Sequence, residues 1–267
     1  FVSTINRLVR KDAWELRELV LAGKDPYARK KEMMQEIYDA QCIAFGEPVQ
    51  TFDFSYRDKD KVYHEERNLT PLDFYHQYVE GSLRDYVAIV NEPTEIMPLN
   101  KPIQFHGVEN MVGRDMLALN LPQKEMEALC VKQLEAGDAI WFACDAGAYG
   151  ARKEGVWDPE SVCCEALLGG FSTAMPKGRR LEYNSSSATH AMILVGVHFD
   201  ETGVPDRWKI ENSWGKDVGD GGYFVCSEKY FEDFVYEAVI HKKHLTEAQR
   251  KMLEEEPVII NAWDEDH

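Results

Sequence analysis

Two neighbouring stretches constrain the fold of this chain more than any other part of it. Thr189-His190-Ala191-Met192-Ile193-Leu194-Val195-Gly196-Val197 is a polar dipeptide running into an apolar segment of strand character. Trp208-Lys209-Ile210-Glu211-Asn212-Ser213-Trp214-Gly215 alternates, delivers an Asn and a Trp, and stops at Gly. If the two strands pair as neighbours, the His that opens one and the Asn that closes the other meet side by side. An imidazole held by an amide oxygen is what a thiol nucleophile needs: one ring nitrogen takes its proton while the other is fixed in tautomer. The Trp214 indole would shield such a bond from water and strengthen it.

A lone His at a strand start is more often a satisfied structural residue. The longer string THAM, VGV, WKIENSWG and GDGGYF narrows the choice. At these residues the chain resembles the papain-like cysteine peptidases and, among them, the bleomycin hydrolase and aminopeptidase C branch. The resemblance implies a partial papain-like α+β fold, helices followed by an antiparallel β half-barrel. It further implies His190 as catalytic general base, Asn212 as its orienting partner and Trp214 as support.

Composition is that of an ordinary globular chain, 267 residues with 44% hydrophobic content. The net charge of −17 argues against nucleic acid or an anionic membrane as partner, because either adds like-charge repulsion. No apolar run approaches a membrane span. Six cysteines without framework spacing suggest reduced thiols and a cytoplasmic home.

Taken in order, residues 5–22 read as an amphipathic helix with Ile5, Leu8, Val9, Ala13, Leu16, Leu19 and Val20 inward and Gly23 as stop. A second helix covers 30–44, with Met33, Met34, Ile37, Ala40 and Ala44 inward. Period-two alternation predicts a strand at 51–56. Thr70-Pro71-Leu72-Asp73 opens a helix, 86–90 is a buried strand, and 92–122 reads as irregular. From 123 the pattern becomes helix 123–136, strand 139–144, then strands at 191–199, 206–213, 222–226 and 235–240. A short helix opens at Ser227, and a last one runs from Thr246 to Glu256. This suggests a mainly helical region 1–122, a β-rich half 123–245 carrying His190 and Asn212, and a terminal helix with an extended arm over 246–267.

The family's nucleophile sits at the start of a buried helix, where the dipole lowers the thiol pKa. No cysteine here has that setting. Cys42 lies near a helix C-terminus, Cys130 inside a helix and Cys226 after a strand; Cys163-Cys164 have no neighbouring base. Cys144 closes the strand Trp141-Phe142-Ala143-Cys144 and is at most a substrate-binding wall residue. The expected nucleophile therefore lies on a missing N-terminal half of the same protein, and the chain alone should be inactive. The arm Glu256-Pro257-Val258-Ile259-Ile260 to His267 resembles the terminal arm of bleomycin hydrolases. In that branch the arm blocks one side of the cleft and makes the enzyme an aminopeptidase, so the His267 carboxylate is a candidate for binding a peptide's ammonium. The resemblance also suggests a homo-oligomer. No cofactor is expected and no metal: His241 and His244 stand at i, i+3 without a third ligand. The alternative is a non-catalytic papain-fold binding or scaffold module.

Overall fold

The computed structural model describes residues 1–79, 81–107 and 115–261. The chain divides into two compact units, Phe1–Glu80 and Gly81–His267. In the first, α1 (Val2–Leu21) and α2 (Tyr27–Phe45) form a hairpin tied by Arg29, whose Nε donates to Glu15 at 2.8 Å. The inner line of α1 is Ile5, Leu8, Asp12, Leu16 and Leu19, so an aspartate replaces an apolar residue on the buried stripe. Val9 and Val20, expected inward, face solvent, as do Met34 and Ala44 on α2, while Met33 is buried. Gly23 ends α1 at φ +67, a conformation glycine adopts without cost.

The hairpin of β1 (Phe52–Arg57) and β2 (Tyr63–Leu69) follows. Helix α3 (Pro71–Tyr78) then starts on a full capping box between Thr70 and Asp73. Phe74 of that helix meets Phe54 edge-on at 4.9 Å.

The second unit is built on one sheet. Its strands are β3 (Tyr86–Val90), β4 (Lys101–His106), β5 (Met116–Asn120), β6 (Ile140–Cys144), β7 (Gly150–Ala151), β8 (Val156–Trp157), β9 (His190–Phe199), β10 (Pro205–Glu211), β11 (Tyr223–Ser227), β12 (Val235–His241) and β13 (Val258–Asn261). Among the described residues their order is β13-β4-β5-β3-β12-β6-β9-β10-β11-β8-β7. Pairing is mostly antiparallel; β3–β5, β4–β13 and β8–β11 are parallel. The helices are α4 (Gln123–Glu135), α5 (Cys164–Leu167), α6 (Lys177–Glu182), α7 (Glu228–Phe234) and α8 (Glu247–Met252).

The segment 92–122 is not irregular as expected, since β4 and β5 lie in it. Both are short, β4 carries Pro102 and β5 stops at Asn120, which hid their period. Because β3 pairs with β12 and β5 with β3, residues 81–122 belong with the β-rich part, and the division falls near residue 80 rather than 122. The main core fills one face of the central strands with Phe142, Met192, Leu194, Trp208, Ile210 and Phe224, closed over by Tyr230 and Phe231 of α7. Trp208 and Phe231 stack at 4.2 Å. Burying each such side chain is worth roughly 1.5–3 kcal/mol, which makes this the region that holds the site rigid. Among the described residues no helix is long and apolar enough to cross a membrane.

Candidate active site

His190 opens β9 directly opposite Cys144 of β6, and β9 pairs antiparallel with β10. A slip in register decides which face each residue takes. Trp208 pairs with Val197 and Lys209 with Gly196, but Ile210 pairs with Leu194, so one residue of β9 is left over at Val195. Such a bulge changes the face presented by one strand while leaving the other unchanged. As a result Trp208 and Ile210 both stay in the core, and the line Leu194–Met192–His190 runs along the same face as Ile210–Asn212. Without the slip His190 and Asn212 would point to opposite sides.

The two side chains meet as the sequence suggested: His190 Nε2 lies 3.0 Å from Asn212 Oδ1. The same oxygen accepts the backbone N–H of Ser213 at 2.8 Å. A backbone N–H can only donate, so the contacted amide atom must be the oxygen, and His190 must carry its proton on Nε2. Nδ1 is left as the basic nitrogen, with no hydrogen bond to a described residue. Asn212 is itself anchored by its backbone N–H donating to Gly222 O at 3.1 Å. Its Nδ2 is buried without a partner among the described residues, an unmet donor next to the one amide whose orientation the pair requires. Trp214 stacks on the imidazole with ring centres 4.9 Å apart and planes 20° from parallel. Phe224 meets the indole edge-on at 5.5 Å, Trp157 lies tilted at 5.8 Å, and the Arg152 guanidinium sits 4.4 Å from its centre. Neither the Ser213 donor nor Arg152 was evident in the sequence, since a backbone contact and a hairpin neighbour leave no residue pattern.

The six thiols are all free. Cys144 shares a face with His190, but its side chain is fully buried, and burial, more than the adjacent Asp145, pushes the thiol up to about 12. A substrate-wall role for this side chain is therefore not compatible with its placement. Burial also drives Cys130 and Cys226 far above the ordinary thiol range. Cys163 is exposed beside a cavity of about 500 Å³ and donates to Glu165 Oε2 at 3.5 Å. Cys42 lies near the C-terminal end of α2, not at a helix start.

His267 lies outside the described residues, and of the arm only its start is described, as β13. His244 is buried, and burial lowers its pKa; its ring centre is 6.3 Å from that of His241. Among the described residues one trio of carboxylates, Glu127, Glu228 and Glu232, has oxygens within 4.8 Å of one another. Lys124 Nζ already fills it, at 2.8, 3.3 and 2.6 Å. Burial, then the hydrogen bond with Glu127, pushes the Glu228 carboxyl up to about 8.

Known proteins share this arrangement of elements. The crystal structure of PepW from Lactobacillus rhamnosis superposes with a TM-score of 0.91 at 38% identity, covering 98% of this chain and 60% of that one. Aminopeptidase C of Listeria monocytogenes is 36% identical over 261 residues, 97% of this chain and 59% of the relative. Aminopeptidase G of Lactobacillus delbrueckii subsp. lactis is 40% identical over 258 residues, 96% and 58% of the two. The chain thus spans about three fifths of the length of the relatives it matches. The fold is the papain-like α+β arrangement in part, and a model of the Peptidase C1-like family matches residues 1–266. On the strength of that match across nearly all of its length, the chain belongs to the Peptidase C1-like family.

Proposed function

We propose that the protein is a cysteine-type aminopeptidase of the bleomycin hydrolase kind, releasing N-terminal residues from peptides by thiol acyl transfer. The observation that carries this is the oxygen of Asn212 shared between Ser213 N–H and His190 Nε2. It leaves Nδ1 as the proton acceptor. On this reading the reacting sulfur is none of the six present and comes from sequence outside these 267 residues. The burial of three thiols and the three-fifths coverage of the aminopeptidase relatives support it.

Nδ1 takes the thiol proton, giving a thiolate–imidazolium pair. The thiolate attacks the peptide carbonyl, and the imidazolium returns its proton to the departing amine as the C–N bond breaks. Nδ1 then accepts a proton from water, whose oxygen attacks the thioester and frees the acyl group, regenerating the thiol. Asn212 keeps the ring aimed in every step, and Trp214 covers one face, where its π-cloud favours the charged ring.

The arm that continues from β13 would set the exopeptidase character. Free thiols suit a cytoplasmic compartment, and a homo-oligomer accords with the family resemblance. The test is hydrolysis of an aminoacyl arylamide by the full-length protein and by His190→Ala. Loss of about a thousandfold or more in kcat/KM is expected. Undiminished turnover in the variant, or efficient hydrolysis by residues 1–267 alone, contradicts the assignment.

A further inference from the structure

The hairpin joining β7 and β8 places a cation beside the candidate site. Arg152 is exposed and makes no hydrogen bond or ion pair with a described residue; its guanidinium carbon lies 4.4 Å from the centre of the Trp214 ring. The chain holds 47 acidic residues against 30 Lys and Arg, so carboxylate partners are plentiful, yet this guanidinium is spent on an indole. A cation–π contact uses the charge and leaves the five N–H donors open.

The hairpin is fixed rather than loose. A Cβ on Gly155, whose φ is +74, would lie 2.5 Å from Gly219 Cα, so two backbones touch there. Gly219 N–H donates to Lys153 O at 3.0 Å and Val225 N–H to Gly155 O at 2.8 Å. Trp157, at the hairpin's end, is buried and donates its Nε1–H to Ala146 O at 3.1 Å.

The geometry indicates what such a fork would meet. Separations of 4.4 Å from guanidinium to indole and 4.9 Å from indole to imidazole cap the distance from Arg152 to the His190 ring at roughly 9 Å. The departing amine receives its proton from that ring. An extended chain covers about 3.3–3.6 Å per residue, so two residues beyond the scissile bond reach about 7 Å. A carboxylate ending there falls within reach of Arg152, whose planar fork suits it.

We infer that Arg152 is a specificity residue that binds the α-carboxylate of a short leaving peptide, two residues past the cleaved bond. This rests on the aminopeptidase reading and adds to it a preference for tripeptides over longer or amidated chains.

The test is binding of the departing product, which needs no turnover. Gly-Gly and Gly-Gly amide are titrated into the labelled protein while the Trp214 indole resonance is followed. The dipeptide acid should bind about 5- to 10-fold more tightly than its amide, a factor that added salt erodes. R152Q should remove the difference, and K153Q, on the same hairpin, should keep it. Equal affinities in the wild-type protein, no binding of the acid at all, or an acid preference intact in R152Q overturns the inference. So does tighter binding of Gly-Glu amide than of Gly-Gly, which would assign recognition to a side-chain carboxylate. Cleavage of an aminoacyl arylamide, whose leaving group has no carboxylate, reports separately on the aminopeptidase reading.

Discussion

Replacing Asn212 by Ala tests the proton placement on His190 directly. With Asn212 present, the Nε2–H tautomer makes a hydrogen bond to Oδ1 worth about 1 kcal/mol net, and moving the proton to Nδ1 sets two lone pairs face to face at 3.0 Å. Leaving a bare Nε2 without a donor against that oxygen adds roughly 1–3 kcal/mol, so the other tautomer is held to a few per cent at most. Nitrogen-15 spectra of histidine-labelled protein, recorded above the imidazole pKa, should show a protonated Nε2 and a bare Nδ1. In N212A both tautomers should become populated, because the oxygen that ranked them is gone. In the full-length enzyme this change should lower kcat/KM by about 10- to 100-fold, less than His190→Ala, because the amide orients and does not transfer a proton. A protonated Nδ1 in the wild-type protein, an unchanged spectrum in N212A, or equal kinetic losses in the two variants would refute the reasoning.

Other consequences can be measured on the chain itself. Iodoacetamide at neutral pH should spare Cys130, Cys144 and Cys226 in the folded protein and modify Cys163 and Cys164; rapid modification of Cys144 would contradict its burial. The Glu228 carboxyl, raised to about 8 when folded, binds a proton more tightly there than in the unfolded chain. Its contribution to stability is therefore present at low pH and is lost as pH rises from about 4.5 to 8. Denaturant titrations of Glu228→Gln should show a flatter pH dependence over that range, and an unchanged slope would rule this out. Gly155→Ala forces a left-handed residue and a backbone overlap at once, so a loss of about 2–5 kcal/mol is expected from unfolding midpoints. A neutral result would mean that the hairpin is not held as described.

The meeting of His190 with Asn212 was legible because His190 opens one strong strand and Asn212 directly follows another, and the apolar content of both announces them. Helix starts at Thr70, Ser227 and Thr246 were equally legible, since capping is a local hydrogen bond that the residue types dictate. What stayed hidden depends on distant neighbours. The bulge at Val195 could not be read, because an apolar run looks the same whichever face each residue takes. Strand β2, Tyr63-His64-Glu65-Glu66-Arg67-Asn68-Leu69, sets four charged or imidazole side chains in a row and shows no apolar alternation; only pairing with β1 makes it a strand. Asp12 shows the reverse: its place in the helical period was clear, and its burial was not.

Among the described residues the large sheet has eleven strands, and at one rim it ends in β7, which is only two residues long. Unpaired main-chain donors and acceptors are therefore few along that rim, and a second polypeptide has little to zip onto there. A partner peptide that adds itself as a further strand beside β7 would find almost no ladder to extend.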